Sequence, residues 1–390
     1  MYKIAGIAPI PFFVDRGTPV RIYEEVNALQ RLGNQFTIFT YHLGKDIDNM
    51  KIKRIPNVPW YKKTSNKVNY HQIYLDAMLF SRSLFPFLKS DFDIAHAYLH
   101  EGVAIGSALR LFKRVPLVLD AEGSLTGEMN AHGFIRKNTV SYKMWHWIEK
   151  ILNERANAII TSSPENVKNL IDEFGIKKEK VFFVRDGVDT EIFHPNYDVT
   201  DIRKKLGISE NEKIVVYLGL LNYHQGVDCL LKAIPNIIDD IKNTHFLIMG
   251  YPNIDYYKGM AKELGVLDKI TFTGKMDYFE APKYLALGDV AVSPKILKTG
   301  EGNGKVYNYM AIGLPTVVFD HPVNRAILGD LGIYAKLEDC GSLADNITKV
   351  LLNESLAKEL SAKVREKAVK DYSWDKVAQE IMEVYRWVRD

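Results

Sequence analysis

The chain has 390 residues, of which 47% are hydrophobic and 25% charged, and Lys plus Arg exceed Asp plus Glu by three. That length is too great for one compact core and suits two α/β domains of about 150–200 residues each. A balance this close to neutral excludes a strongly basic nucleic-acid binder by bulk charge, so nucleic acid is not expected among the partners.

Residues 3–8 form a short apolar run entered almost at once from Met1, with no signal-peptide layout. Pro9, Ile10, Pro11, Phe12 and Phe13 follow, where a dinucleotide oxidoreductase would carry a Gly-x-Gly-x-x-Gly turn. Ile22, Val26, Leu29 and Leu32 then recur at helical spacing, and Gly33 suits a C-terminal cap. Residues 36–39 predict the next strand.

Between Asp48 and Asp76 there is no acid, and Lys51, Lys53, Arg54, Lys62, Lys63 and Lys67 alternate with Trp60, Tyr61 and Tyr70. Two readings fit residues 51–70. They are a solvated basic loop beside the helix that carries Leu79, Phe80, Leu84, Phe85 and Phe87, or a surface for anionic membrane or a phosphate-bearing acceptor. Residues 136–150, with Trp145 and Trp147 among basic residues, are a second such segment. Strands are predicted at 93–96, 116–119 and 158–160. Short apolar runs alternating with helices indicate a parallel sheet covered on both faces.

The pattern restarts after a boundary near residues 185–188 and a loop through Phe193, His194 and Pro195. A buried-type strand at 213–219 ends in Gly219. Its helix shows Val227, Leu230, Leu231, Ile234, Ile238 and Ile241 on one side, and strands at 245–250, 270–274, 289–292 and 315–319 complete the series. The final segment is a helix with an apolar stripe of Trp374, Val377, Ile381, Val384, Tyr385 and Val388. The expected domains are 1–185 together with 373–390, and 186–372. Cys229 and Cys340 lie far apart without partner spacing, so neither a zinc site nor a disulfide is expected. No uncharged apolar stretch reaches the 18 or so residues that span a bilayer. The expected location is the cytoplasm, peripheral on the inner membrane face if the basic segment binds lipid.

The richest chemistry lies between Ser293 and Pro315. A strand ends at Ser293, a glycine-rich loop holds Gly300, Glu301, Gly302 and Asn303, and a helix starts near Gly304 with Lys305 at its entrance. Glycines admit close approach of backbone N–H groups to an anion, and the helix start offers unpaired donors and a positive dipole end. The combination reads as a diphosphate cradle or as a glycine-rich surface turn with a solvated lysine. It is not a P-loop, because Val306 stands where the Mg²⁺-binding hydroxyl belongs. Glu301 reads as an acceptor for sugar hydroxyls or as a solvated loop acid. Asp120 and Glu122 end a first-domain strand, either as acceptor-orienting carboxylates or as caps of the next turn. His96 and His100 are further candidates there. No Asp-x-Asp clamp stands beside the loop, so no metal is expected.

Val216, Tyr217, Leu218 and Gly219, then Gly226, Val227 and Asp228, Ile248 to Gly250, Phe272 to Gly274, and the stretch from Glu301 to Pro315 occur in fixed order. In these the second half resembles the nucleotide-binding domain of glycosyltransferase family 4, of the GT-B fold. Residues 186–189 with Phe193 and Pro195 resemble that family's interdomain element, and Trp374 its closing helix. The resemblance covers nearly the whole chain. It implies two Rossmann-like α/β domains facing each other, with the C-terminal helix crossing back to the first.

It also implies a retaining hexosyltransferase that uses a nucleotide-diphosphate sugar and needs no separate cofactor. The acceptor would be a sugar, a small molecule or a lipid-linked hydroxyl. By the same resemblance Glu301 holds donor hydroxyls, and Gly302, Asn303 and Gly304 face sugar and phosphates. Gly219 admits the diphosphate, and Gly250, Gly274 and Met276 flank the base. Arg16, Gly17 and Thr18 occupy the family's glycine loop, beside the donor phosphates and the acceptor. Three departures stand out. Leu220 and Gln225 replace the family's Arg and Lys, and Asn308 replaces the second of two paired glutamates. They shift the phosphate charge onto Lys305, with Lys295 or Arg16 assisting. Two other readings follow: a two-domain sugar-nucleotide epimerase, and a non-catalytic sugar-nucleotide-binding subunit.

Overall fold

A computed structural model describes residues 1–15, 17–62, 71–131, 133–296 and 302–390. The chain divides into two units. The first holds Met1–Asp186 and the closing segment Trp374–Asp390, and the second holds Gly187–Lys298 and Gly302–Ser373.

The first unit runs β1 (Lys3–Ala8), α1 (Gly17–Arg31), β2 (Gln35–Thr40), β3 (Lys51–Arg54), α2 (His71–Lys89), β4 (Ile94–Tyr98) and α3 (Leu99–Leu109). It continues with β5 (Leu117–Asp120), α4 (Leu125–Ala131), α5 (Val140–Arg155), β6 (Ala158–Thr161), α6 (Pro164–Asp172) and β7 (Val181–Phe183). Its seven strands are parallel in the order β3-β2-β1-β4-β5-β6-β7. β1, β4 and β5 are buried along almost their whole length because helices cover both faces of the sheet.

The second unit runs α7 (Thr200–Leu206), β8 (Lys213–Leu218), α8 (Val227–Asp240), β9 (Thr244–Met249), α9 (Ile254–Glu263), β10 (Ile270–Gly274) and α10 (Ala281–Leu285). Next come β11 (Val290–Ser293), α11 (Gly304–Ile312), β12 (Thr316–Phe319), α12 (Pro322–Leu328), β13 (Ile333–Ala335), α13 (Cys340–Leu352) and α14 (Glu354–Asp371). The order β10-β9-β8-β11-β12-β13 repeats the topology of the first sheet. The closing helix α15 (Trp374–Arg389) belongs to the first unit, where it lies along α1. Trp374, Val377, Ile381, Val384 and Tyr385 are buried there, and Arg31 pairs with Asp375 at 2.7 Å.

Two expectations need correction. Leu32 lies beyond the end of α1 and is exposed, whereas Glu24 and Glu25 sit on the buried face. Cys229 and Cys340 form a disulfide across 111 residues of sequence, because α8 and α13 pack side by side in one core and bring their Cα atoms to 5.1 Å. No helix of the described residues is long and apolar enough to cross a membrane.

Candidate active site

In the second sheet the strand order reverses between β8 and β11. Ligands of open α/β sheets bind beyond the carboxyl ends of the strands at such a reversal. Gly219 leaves β8 at that point, and the loop from β11 into α11 leaves beside it.

Three glycines close-pack the backbone here. At Gly219, with φ +152°, a Cβ would lie 2.6 Å from Lys305 Nζ. At Gly226 it would lie 1.8 Å from the Pro294 carbonyl oxygen, and at Gly250 1.9 Å from that of Gly219. No side chain larger than hydrogen fits at the last two without moving the main chain.

The space left at Gly219 is taken by the Lys305 ammonium. Lys305 Nζ donates to Gln225 Oε1 at 2.6 Å and lies 4.6 Å from the centre of the Tyr217 ring. Burial first, and then the charge of Lys295, hold its pKa well below the usual lysine value. Among the described residues no carboxylate contributes to its field. A desolvated cation held by a neutral amide and an aromatic face is short of an anion.

The described residues just before α11 are braced as well. Lys295 Nζ donates to the Gly302 carbonyl at 2.9 Å. Asn303 is buried and donates to Ser293 Oγ at 3.1 Å and to Asn324 Oδ1 at 2.9 Å. Its side chain is therefore committed to the fold, and only its main chain can face a ligand. The Gly304 and Lys305 N–H groups open α11, and Asn308 follows Lys305 on the same face. Gly274, with φ +80°, ends β10 two strands along from β8, and half-buried Met276 follows it. Glu301 lies outside the described residues, as does Arg16.

The first unit gathers a second constellation at the carboxyl ends of its strands. Arg21, on α1, is the cation at its centre. Its Nη1 donates to Asp120 Oδ2 at the end of β5, its Nε donates to Asp186 Oδ1 at 2.7 Å, and Glu25 lies 3.8 Å away. Thr18 Oγ1, in the first turn of α1, donates to Glu122 Oε2 at 2.5 Å, and exposed Gly17 opens that helix. Burial pushes the Glu122 carboxyl up to about 7, although Arg21 and Thr18 pull it back. Glu25 is fully buried and held well above the carboxylate range by burial and by Asp120.

His96 is buried beneath this group. Its Nδ1 lies 2.5 Å from Tyr385 Oη of α15, its ring stacks on Tyr98 at 4.6 Å, and burial lowers its pKa to about 4. His100 is buried as well, 3.2 Å from Asn153 Oδ1. Both histidines expected in the acceptor region are thus enclosed in the fold, because β4 and the start of α3 turn them inward. Glu25, His96 and Asp120 have ligand atoms within 4.8 Å of one another, as a metal site would. The Arg21 guanidinium already sits on Asp120, so an internal cation supplies the charge that such a trio needs.

Residues 16–192 match the family model described as Glycosyltransferase Family 4, and residues 198–370 match that of Glycosyl transferases group 1. The chain belongs to glycosyltransferase family 4. It is an enzyme that transfers a glycosyl group. The D-inositol 3-phosphate glycosyltransferase of Corynebacterium aurimucosum is 22% identical, with 95% of this chain and 90% of that protein aligned. In fold the chain is similar to sucrose-phosphate synthase from Thermosynechococcus elongatus, with TM-score 0.80, 18% identity and coverage of 100% and 99% of the two chains. It is also similar to the Anabaena protein HepE in complex with UDP and glucose, with TM-score 0.75, 15% identity and coverage of 99% and 100%. These likenesses extend the GT-B fold to the full length of this family 4 chain.

Three residues of this glycosyltransferase escaped sequence reasoning. Gln225 looked like a lost phosphate contact, yet it is the acceptor that fixes Lys305. Arg21 and Glu25 form the charged centre of the first unit. Their signal was an acid standing on the same helical face as Ile22, Val26 and Leu29, where only a partnered or protonated group is tolerated.

Glu122 ties this glycosyltransferase to pH. Its folded pKa lies above its unfolded value, so the stability it contributes is complete below the unfolded carboxylate pKa and is lost as pH rises through about 7. If Glu122 takes the acceptor proton, kcat/KM rises as pH passes through about 7, and Glu122→Gln flattens that limb while raising stability at pH 8. A pH–rate profile unchanged in the glutamine variant would remove Glu122 from proton transfer.

Proposed function

We propose that this family 4 enzyme moves a hexose from a nucleotide-diphosphate sugar to an acceptor hydroxyl with retention of anomeric configuration. One observation carries the reading. Lys305 is a buried ammonium with no carboxylate partner among the described residues, and it is seated where the start of α11, Gly219 and Gln225 converge.

Breaking a glycosyl–phosphate bond leaves positive charge on the sugar and negative charge on the departing diphosphate. The ammonium and the free N–H groups of α11 stabilise that anion without reorganising at the moment of reaction. The dry setting that lowers the Lys305 pKa is the same setting that strengthens its pull on phosphate. Glu301 is assigned to the donor hydroxyls and Asn308 to a neutral hydrogen bond with the ribose. Gly274 and Met276 are assigned to the base. Asp120 and Glu122, with Thr18, orient the acceptor hydroxyl, which attacks from the face that the diphosphate leaves. The first unit is accordingly the acceptor-binding domain and the second the donor-binding domain.

A thermal-shift screen with uridine, guanosine and adenosine diphosphates tests the donor site. One of them should stabilise the protein, by about 2.7 kcal/mol at a hundredfold excess over its Kd. No response to any nucleoside diphosphate would sink the reading. Release of an altered nucleotide sugar without acceptor would favour an epimerase, whereas slow donor hydrolysis argues against a non-catalytic subunit. Glu301→Ala should broaden the range of donor sugars accepted at saturating concentration. An unchanged donor profile would take that role from Glu301.

We further read the acceptor as lipid-linked, delivered from an anionic membrane. Trp60 is exposed, and α5 turns Val140, Met144 and Trp147 outward beside Lys143. Arg54 is excluded from such a surface, since it is engaged by Asp46 and by main-chain carbonyls. Lys63, Lys67 and Tyr70 lie outside the described residues. Sedimentation with anionic vesicles at low salt decides this point, and no binding there would end it.

A further inference from the structure

At the amino ends of β5, β6 and β7 the first unit has a cavity of about 670 Å³. Asp120 and Glu122 stand at the opposite, carboxyl ends of these strands, so the cavity is remote from the transfer chemistry. The C-terminal ends of α3 and α5 close its sides.

Four cations line it: Arg110, Arg114, Arg155 and Lys180. Two are held in place by the end of α5. Arg110 Nη1 donates to the Arg155 carbonyl at 3.0 Å, and Lys180 Nζ donates to the Ala156 carbonyl at 3.2 Å. Glu154 also lines the cavity, yet none of the four cations is ion-paired with a carboxylate among the described residues. Burial and the nearby charge of Arg155 lower the pKa of Arg110, a sign of cations crowded without a counterion. The Ser107 hydroxyl, on the wall contributed by α3, is buried and has no hydrogen-bond partner.

The simpler reading is that these side chains only offset the negative ends of two helices. The magnitudes decide against it. Each helix terminus is worth roughly half a negative charge, and Glu154 adds one, which leaves about two positive charges unmatched out of four. We propose that this cavity is a second anion site, which takes a phosphate anion, monoester or diester, presented by a soluble phosphorylated molecule or by a lipid headgroup.

The test uses the full chain. Calorimetric titration with sodium pyrophosphate at low ionic strength is run on the Lys305→Ala variant, which removes the donor-loop cation. A binding event should persist there, and adding Arg114→Ala with Arg155→Ala should weaken it at least about tenfold. Both side chains are exposed, so the fold is expected to survive. Arg→Lys at the same two positions should recover most of the affinity. In parallel, vesicles of phosphatidylglycerol are compared with vesicles of phosphatidylcholine. Loss of phosphatidylglycerol binding in the double alanine variant, without a soluble pyrophosphate site, assigns the headgroup source. Glycosyl transfer to an acceptor presented without vesicles should be unchanged by the two alanines, which keeps this result separate from the fate of the donor site. Pyrophosphate and phosphatidylglycerol binding both indifferent to the double substitution would overturn the proposal.

Discussion

Lys305→Ala should cut kcat/KM by about a hundred- to a thousandfold, or roughly 2.7–4 kcal/mol, the range seen when one fixed donor to a developing anion is removed. The fold should remain, because the ammonium adds no ion pair to the native structure among the described residues and its burial is a cost that substitution relieves. Far-UV circular dichroism and a melting curve equal to or above the parent's would establish that. The depressed pKa adds a second readout. Where the free ammonium is partly neutral, an arriving diphosphate raises its pKa, so binding takes up a proton and affinity falls as pH rises. Calorimetry in buffers of different ionisation enthalpy measures that proton directly. In the absence of donor the sign for folding is opposite: the unfolded lysine binds more protons than the folded one, so stability from this group increases with pH across the window. Turnover within a few-fold of the parent, with no buffer dependence, would remove the diphosphate from this site.

Arg21→Met should produce the largest loss of stability, about 3–5 kcal/mol, as expected when one partner of a buried ionic group is deleted. Arg21 is the cation on which Asp120 and Asp186 both converge, with Glu25 and Glu122 in its field. Without it these acids must take protons or spread apart. The loss should therefore be greater at pH 8 than at pH 5.5, since protonation at the lower pH relieves the repulsion. Urea denaturation at the two pH values measures both quantities. A loss under about 1 kcal/mol, independent of pH, would mean that the cluster behaves as a solvated surface network.

The readability of the fold followed burial. Strands covered on both faces, such as Lys3–Ala8 and Lys213–Leu218, were plain as apolar runs. β3, β7 and β13 went unrecognised as strands, and all three are short sheet edges. An edge strand packs on one side only and tolerates charge, so Lys51–Arg54 read as a basic loop. The start of α11 at Gly304 was legible because glycine and lysine at a helix start have local consequences. The charge cluster was not, because Arg21, Asp120 and Asp186 are brought together only when α1, β5 and the chain after β7 pack as one unit.

By itself the sequence determined two repeating α/β halves and a chain that belongs to a sugar-transferring family. Periodicity and backbone freedom are local properties, and they survive without knowledge of neighbours. Tertiary structure alone decided that Gln225 holds Lys305, that Cys229 meets Cys340, and that His96 is sealed under Tyr385. Each of these joins residues more than 75 positions apart. Which side chains meet across such a distance is set by how helices pack on a sheet, and no spacing along the chain encodes it.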